Sequence, residues 1–450
     1  MTTKQPNVIF FFTDQQRFDM AGVHGCPLDL MPNFDRSARL GTHLFHSYTC
    51  QPVCGPARSS LQTGLYATNT HCFRNAIALD PDYKTLAHYF KEAGYYTGYI
   101  GKWHLAPSGM QAVSELYQGG YDEWLGANAL EMCSDAYDAV VYDKEGKEVK
   151  LPGYRVDALT DAAIRFIDTN KEDPFFLFVS YLEPHFQNHR DDYPAPDGYE
   201  ERYRGRWLPP DLATLGGSAH RHTPGYYGMI KRLDEAYGRL LDALISLDLL
   251  DDTIVVFTSD HGNHFKTRNG EYKRSCHDSS LRLPTVITGP GFMQGGELRQ
   301  LTSLIDLPPT VLDAAGIPVP EIMEGHSIMP LVRRAPISWQ ESIFAQISEA
   351  QVGRCVRTHR WKYSVVAKDK DPLADPASDT YEEEFLYDLM ADPYELNNLL
   401  GLKSHQKVAD VMRERLLRWI AEVEDVQPEI IQAPVRPSGQ NRVSEKECYQ

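Results

Sequence analysis

Positive charge is in short supply in this chain. Its 45 Lys and Arg stand against 62 Asp and Glu, a formal net charge of −17 with a pI of about 5.4. That balance argues against nucleic acid or an anionic membrane as the main partner. If the substrate is an anion, the positive charge that holds it must be local. Long apolar runs are missing too: nothing approaches the roughly 18 residues of a membrane-spanning helix. At the N-terminus, "MTTKQPNVIFFFTDQQR", the apolar run is only Val8 to Phe12 and no small-residue cleavage site follows. No secretory signal is expected, and the reading is a cytoplasmic protein. Eight cysteines (26, 50, 54, 72, 133, 276, 355, 448) show no paired spacing. They read as reduced thiols, and Cys50 with Cys54 lacks the second Cys/His pair of a zinc site. Internal repeats and low-complexity tracts are absent as well.

What is there is an ordinary globular composition, 42% hydrophobic and 24% charged over 450 residues. That allows a large core in two or three domains, or one large domain with an appendage. Four apolar runs share one design. "NVIFFF" (7–12) ends in Thr13-Asp14-Gln15, "YYTGYI" (95–100) in Gly101-Lys102-Trp103-His104, "FFLFVSYL" (175–182) in Glu183-Pro184-His185, and "TIVVF" (253–257) in Thr258-Ser259-Asp260-His261-Gly262. Runs of this length, β-branched and aromatic, read as strands buried on both faces of a mainly parallel sheet. Helical patterns lie between them, over Leu86–Ala93 and most clearly over Tyr227–Leu250, where Ile230, Leu233, Tyr237, Leu240, Leu241 and Leu244 mark one face. The expected fold is α/β, a mainly parallel central sheet flanked by helices. Ligands in such sheets bind beyond the carboxyl ends of the strands, so the four polar endings converge on one edge.

After about residue 335 the texture changes. "RCVRT" (354–358), "WKYSVV" (361–366) and "EFLYDL" (384–389) read as short antiparallel strands, and an amphipathic helix follows Ser404. The expectation is a catalytic domain over 1–335, a smaller C-terminal α+β subdomain over 336–425 and a tail over 426–450. Composition alone makes the tail disordered. If ordered, it would lie as an arm on its own chain or on a neighbouring copy, which admits a homo-oligomer.

One short stretch needs a special explanation: Cys54 to Gly64, "CGPARSSLQTG". Pro56 suits the first turn of a helix and Gly64 the position just past its end, so a helix is expected over about Pro56–Thr63. Cys54 then lies beside a helix N-terminus, where negative charge is favoured. Either it ionises to thiolate or it is not a thiol in the working protein. Asp14, Gln15, Asp260 and His261 offer carboxylate, amide and imidazole ligands. An oxygen-rich set suits calcium or magnesium, and manganese tolerates the imidazole.

These segments together resemble a type I, formylglycine-dependent sulfatase of the alkaline phosphatase superfamily. "CGPARSSLQTG" resembles the family signature Cys-x-Pro-Ser/Ala-Arg followed by Thr-Gly, and "GYYTGYIGKWHL" (94–105) the second signature. "TSDHGN" (258–263) resembles the second metal-binding turn, and "KRSCHDSSLRLPTVITGPG" (273–291) the segment with a substrate-binding lysine. "VRTHRWKY" and "LYDLMADPYELNNL" resemble the C-terminal region, so the likeness runs from about 7 to 425.

The resemblance implies an alkaline-phosphatase-like fold and a role for each residue. Cys54 would be oxidised by a formylglycine-generating maturation enzyme, and the hydrated aldehyde would attack sulfur and then expel sulfate. A gem-diol carries its own exit, where a serine ester would need a second hydrolysis. Asp14, Gln15, Asp260 and His261, with the residue at 54, would hold the cation, usually calcium in this family. Arg58 would steady the diol, Lys102 bridge it and His104 take the proton that triggers elimination. Lys273 and His185 would grip the sulfate and protonate the leaving oxygen. Gln15 stands where many members carry aspartate, and His277-Asp278 where Tyr-Glu is common.

The implied substrate is a sulfated saccharide. The segment 186–222, rich in His, Arg, Asp, Pro and Gly, is expected to be irregular and to form a polar sugar pocket. His189, Arg190, Arg74 and Asn75, with His264 after the metal turn, are the candidate contacts, and a 6-O-sulfated amino sugar or glycosaminoglycan fragment is the expected ligand. Three rivals are weighed against this reading. A phosphonate monoester or phosphodiester hydrolase of the same superfamily shares "CGPAR" but tends to lack Gly-Lys-Trp-His. A non-catalytic anion-binding relative would not need intact motifs. A thiol enzyme using Cys54 and His104 leaves the metal residues without a role.

Overall fold

The structure, a computed structural model, describes residues 5–293 and 295–450. Eleven strands form the main sheet: β1 (Asn7–Thr13), β2 (Thr42–Tyr48), β3 (Tyr96–Lys102), β4 (Glu123–Ala127), β5 (Ala139–Asp143), β6 (Glu148–Leu151), β7 (Phe175–Ser180), β8 (Thr253–Ser259), β9 (Arg282–Leu283), β10 (Val286–Thr288) and β11 (Gly296–Ser303). Their order is β11-β2-β10-β8-β1-β7-β3-β4-β5-β6, with β9 on β2. The central block β8-β1-β7-β3-β4 is parallel, and β10, β5 and β6 pair antiparallel outside it. All four runs singled out by their polar endings are in that block.

Strand β1 shows why its sequence is apolar at every position. Ile9 and Phe11 point into one core, while Val8, Phe10 and Phe12 point into another on the opposite face. Alternate side chains leave a strand on opposite faces, so a sheet covered on both sides needs an unbroken apolar run. Phe11 stacks on Phe257 and Phe10 on Phe178 across neighbouring strands. Each such buried ring contributes about 1.5–3 kcal/mol.

Helices α1 (Pro32–Leu40), α2 (Cys54–Thr63), α3 (Leu86–Glu92), α4 (Leu130–Cys133), α5 (Arg155–Thr169), α6 (Tyr199–Tyr203), α7 (Pro210–Thr214) and α8 (Ala219–Ser246) lie in the main body. Helix α2 starts two residues earlier than Pro56, so Cys54 is its first residue; Gly64 ends it in the left-handed region at φ 77°. Helix α8 starts eight residues before Tyr227 despite Pro224 in its second turn, and stops at Ser246. There Asp248 turns left-handed at φ 59° and the Leu249 N–H reaches back to the Leu244 carbonyl, a Schellman-type close. The segment 186–222 is accordingly not irregular throughout: it holds α6, α7 and the first turn of α8.

The second sheet runs in the order β12 (Ile343–Ile347), β13 (Val352–Arg357), β14 (Trp361–Ala367), β15 (Thr380–Asp388) and β16 (Glu429–Ile431). The helix Gln406–Glu424 packs on it through Val408, Met412, Leu416 and Ile420. The disorder expected of the tail is corrected by its backbone pairing. β16 joins β15 in parallel, Leu402 bridges Arg436, and the Trp361 indole donates to the Glu447 carbonyl. Among the described residues, no helix is long and apolar enough to cross a membrane.

Candidate active site

Strand ends and one helix start meet at a single point. Asp14 and Gln15 follow β1, Lys102 ends β3, His185 follows β7, and Asp260 and His261 follow β8. Cys54 opens α2 and is 1% exposed. Its Sγ lies 2.8 Å from Lys273 Nζ, 3.3 Å from His261 Nε2, 3.5 Å from Asp14 Oδ1 and 3.8 Å from Lys102 Nζ. Burial pushes the thiol up, but Lys102, Lys273 and His261 outweigh it and hold Cys54 well below its ordinary value. The surroundings of this position favour negative charge, as expected beside ammonium groups at a helix N-terminus.

Arg58 projects one turn further along α2 and ties the strand ends together. Its Nη1 donates to the Lys102 carbonyl at 2.8 Å and Ser180 Oγ at 2.7 Å, and its Nη2 to Asp14 Oδ2 at 3.0 Å. The same Nη2 is 3.4 Å from Asp260 Oδ2. Burial and Cys54 push Asp14 up, yet Lys102, His185 and Arg58 carry it well below the usual carboxylate range. Asp260 goes the other way, pushed up to about 6 by burial and by Asp14.

The donor set fits a hard divalent cation. Asp14, Cys54, Asp260 and His261 bring ligand atoms within 4.8 Å of one another, the one such cluster among the described residues. His261 Nδ1 faces the Gly262 carbonyl at 2.9 Å, so that nitrogen bears the proton and the Nε2 lone pair points at the two carboxylates. Gln15 Oε1 and Asp260 Oδ2 are buried and accept no hydrogen bond. Buried oxygens of this kind call for a further partner, and a cation supplies one. The Gln15 amide nitrogen donates instead to Tyr193 Oη at 3.4 Å, which turns its oxygen free.

Lys273 comes from the loop after β8. Its ammonium lies 3.1 Å from His185 Nε2, while His185 Nδ1 faces the Phe186 carbonyl at 2.7 Å. Nδ1 therefore carries the proton and Nε2 accepts from Lys273. Burial and Lys273 hold His185 below its ordinary value. Lys102 is fully buried between Asp14 Oδ2 at 2.8 Å and Glu131 Oε2 at 3.1 Å. His104 adopts φ 63°, outside the usual range for a non-glycine residue, and its Nε2 lies 3.9 Å from Glu131 Oε1.

Glu131 was not legible beforehand. It sits on the one-turn helix α4, is 4% exposed, and is drawn down to about 2 by Lys102, His104 and His185 against burial. No spacing in the sequence links it to its partners; a buried glutamate in a segment without periodicity leaves no signal. With it, three carboxylates balance Arg58, Lys102 and Lys273.

Of the expected sugar contacts, His264 needs correction. His264 is fully buried and its Nε2 faces the Lys273 carbonyl at 2.9 Å, so it braces the lysine loop. Arg190 donates to Asp135 Oδ1 at 2.6 Å and His189 Nε2 lies 3.8 Å from Asp135 Oδ2, both on an exposed loop. The Asn75 side chain accepts from the Gly55 N–H at 2.8 Å and its own N–H donates to Glu349 at 2.6 Å, so it caps α2 beside Cys54. Arg74 is half-buried, bonded to the Asn75 carbonyl. His277 and Asp278 are structural: His277 meets Tyr387 Oη at 3.1 Å and Asp278 pairs with Arg357 at 3.2 Å.

The profile of the sulfatase family matches residues 6–317, and that of the N-sulphoglucosamine sulphohydrolase C-terminal region matches 270–422. The ulvan-active sulfatase of Formosa agariphila is 29% identical over 439 residues, covering 94% of this chain and 82% of that protein. The N-acetylglucosamine-6-O-sulfatase of Bacteroides thetaiotaomicron is 26% identical over 509 residues, covering 95% and 88%. A solved structure in complex with its substrate, D-glucosamine-2-N,6-O-disulfate, superposes with a TM-score of 0.77 at 25% identity, covering 94% of this chain and 99% of that one.

Proposed function

The chain belongs to the sulfatase family and is a sulfuric ester hydrolase, and from that premise we propose that it hydrolyses carbohydrate sulfate monoesters with formylglycine at position 54. One observation carries the reading. Cys54 Sγ stands within 3.5 Å of Lys273, His261 and Asp14, so nucleophile, cation ligands and anion-binding ammonium share one point. The sulfur marks where the reactive oxygen of the matured residue belongs. Hydrated formylglycine supplies two geminal hydroxyls there in place of one thiol.

Asp14, Gln15, Asp260 and His261 would hold the cation, and calcium suits the oxygen-rich set. Bound there, it supplies Lewis-acid polarisation and two positive charges in a cleft whose side-chain charges otherwise cancel. Arg58 orients α2 against Asp14 and so fixes position 54 relative to the strand ends. Lys102, gripped by two carboxylates, keeps its ammonium toward position 54. Lys273 is the proton carrier for the leaving oxygen: its ammonium is the donor in the contact with His185, and His185 Nε2 aims it. His104 takes up the proton released at position 54, with Glu131 Oε1 3.9 Å from its Nε2. Fixed donors of this kind act with little reorganisation in a site closed to water.

For the substrate, a 6-O-sulfated amino sugar or a glycosaminoglycan fragment is the reading that the relatives' activities support. The test is direct. The chain is co-expressed with a formylglycine-generating enzyme, and mass spectrometry of the Cys54 peptide should find it about 18 Da lighter than the cysteine form. Matured enzyme is then given glucosamine-6-sulfate, an aryl sulfate and an aryl phosphonate monoester. Fastest sulfate release from the saccharide supports the proposal. Faster turnover of the phosphonate, or no sulfate from any ester, overturns it.

A further inference from the structure

Glu349 stands in the turn between β12 and β13, and its carboxylate reaches the catalytic edge of the main sheet. Its side chain is 6% exposed and both oxygens are engaged. Oε1 accepts the Asn75 N–H at 2.6 Å, and Oε2 pairs with Arg274 Nη2. The Asn75 side chain accepts in turn from the Gly55 N–H, next to Cys54. Arg274 follows Lys273, whose ammonium lies 2.8 Å from Cys54 Sγ. One carboxylate of the smaller sheet thus spans the start of α2 and the loop that delivers the ammonium.

Both ends of this bridge are held in a costly backbone conformation. Glu349 adopts φ 64° and Arg274 φ 70°, and neither is glycine. Such residues persist where the surroundings over-determine them, and they gather at functional sites. The turn itself is tied down: the Glu349 N–H donates to the Pro372 carbonyl at 3.1 Å, and Ser348 Oγ accepts from Gln51 Nε2 at 2.7 Å. Gln51 lies just before Cys54, so the turn is fastened to the chain that leads into α2. Arg274 has a second carboxylate, Glu271 Oε2 at 3.0 Å, but that side chain is 50% exposed. An ion pair so open to water fixes little. The buried bond to Glu349 is the one that sets where Arg274, and with it Lys273, can stand.

The consequence for the reaction lies at the leaving oxygen. As the S–O bond breaks, the proton passes from Lys273 Nζ to the departing oxygen, and that transfer needs hydrogen-bond distance. A poor leaving group depends on the proton, whereas a good one departs as an anion without it. We propose that Glu349 is a positioning residue that keeps Lys273 in line with the leaving oxygen, so that its loss falls selectively on esters of poor leaving groups. The proposal rests on the proton-donor role given to Lys273 above and is independent of which sugar is the substrate.

Matured enzyme is given phenyl sulfate and 4-nitrophenyl sulfate, two esters whose leaving groups differ in acidity but not in shape near the sulfur. Glu349→Gln keeps an acceptor for Asn75 and loses the charge that pairs with Arg274. It should lower kcat/KM for phenyl sulfate at least about tenfold more than for the nitro ester. Arg274→Gln should shift the ratio the same way, and Glu271→Gln should leave it within about twofold. Both rates are read on one sample, so a partly unfolded variant lowers them alike and leaves the ratio untouched. A Glu349→Gln enzyme in which both rates fall equally, or neither falls, overturns the proposal. Lys273→Gln tells this failure from that of the lysine's own role. If it shows the dependence on leaving group and Glu349→Gln does not, the positioning role alone falls; if Lys273→Gln shows none, both fall.

Discussion

Two clusters of buried charge hold this molecule together, and they are built in opposite ways. At the junction of the two sheets, Lys362 on β14 pairs with both Asp278 and Glu395, and Arg357 on β13 takes both oxygens of Asp278. The remaining Glu395 oxygen accepts the Asp278 N–H at 2.7 Å. Around position 54, by contrast, Gln15 Oε1 and Asp260 Oδ2 are left without hydrogen bonds at the same depth. Burial alone does not mark a functional site, since both clusters are buried. Incomplete satisfaction does: the saturated cluster is finished, and the open one awaits another group.

The sharpest way to widen the contrast is Cys54→Ala in matured protein. Turnover should fall by at least about 10⁴-fold, measured as inorganic sulfate released, with no loss of thermal stability. A residual rate within tenfold of the wild type would erase the distinction. Next comes chelation. EDTA should lower turnover roughly 100-fold or more and lower the melting temperature, because a ligand that binds only the native state stabilises it. Calcium should restore both, whereas the Lys362 cluster should not respond. A melting curve indifferent to EDTA would break the claim that the open oxygens await a cation.

Lys362→Met attacks the finished cluster. It leaves Asp278 and Glu395 with too few partners and should cost about 3–5 kcal/mol in urea unfolding, while the fraction that stays folded keeps turnover within about tenfold. Glu131→Gln should do the reverse: turnover roughly 10–100-fold lower with an unchanged urea midpoint. If instead Glu131→Gln unfolds the protein, the carboxylate belongs with the finished kind. The smallest effect is in acid. Burial pushes Asp278 up, but Arg357 and Lys362 hold it below the usual carboxylate range. Its ionised form therefore adds stability above an unfolded value of about 3.9, lost as pH falls toward the folded value. Asp278→Asn should flatten the decline in urea stability between about pH 5 and pH 3.

The sequence made the parallel core and most of the catalytic cluster legible for a physical reason. A strand covered on both faces must be apolar throughout, so the first polar residues after it, Asp14, Lys102 and Asp260, stand out at the functional edge. Cys54 was legible through the proline and glycine that bracket its helix. Glu131 was not, because its partners Lys102 and His104 lie far from it in the chain and α4 is too short to show a period. His264 misled in the other direction: a histidine just after the metal turn reads as a candidate sugar contact, but the loop folds back under Lys273. The start of α8 was hidden by Pro224, and the tail by a composition that gave no sign of β16.

The short path from Lys273 to Asp278 joins the open cluster to the closed one. One end presents an ammonium to position 54, and the other is moored to β13 and β14 of the smaller sheet. A chain cut before Ile343 would keep Asp14, Cys54 and Asp260 yet cast that mooring loose. The smaller sheet, which among the described residues places no group on the sulfur itself, would then govern the rate as an anchor governs a boat, by limiting how far Lys273 can drift.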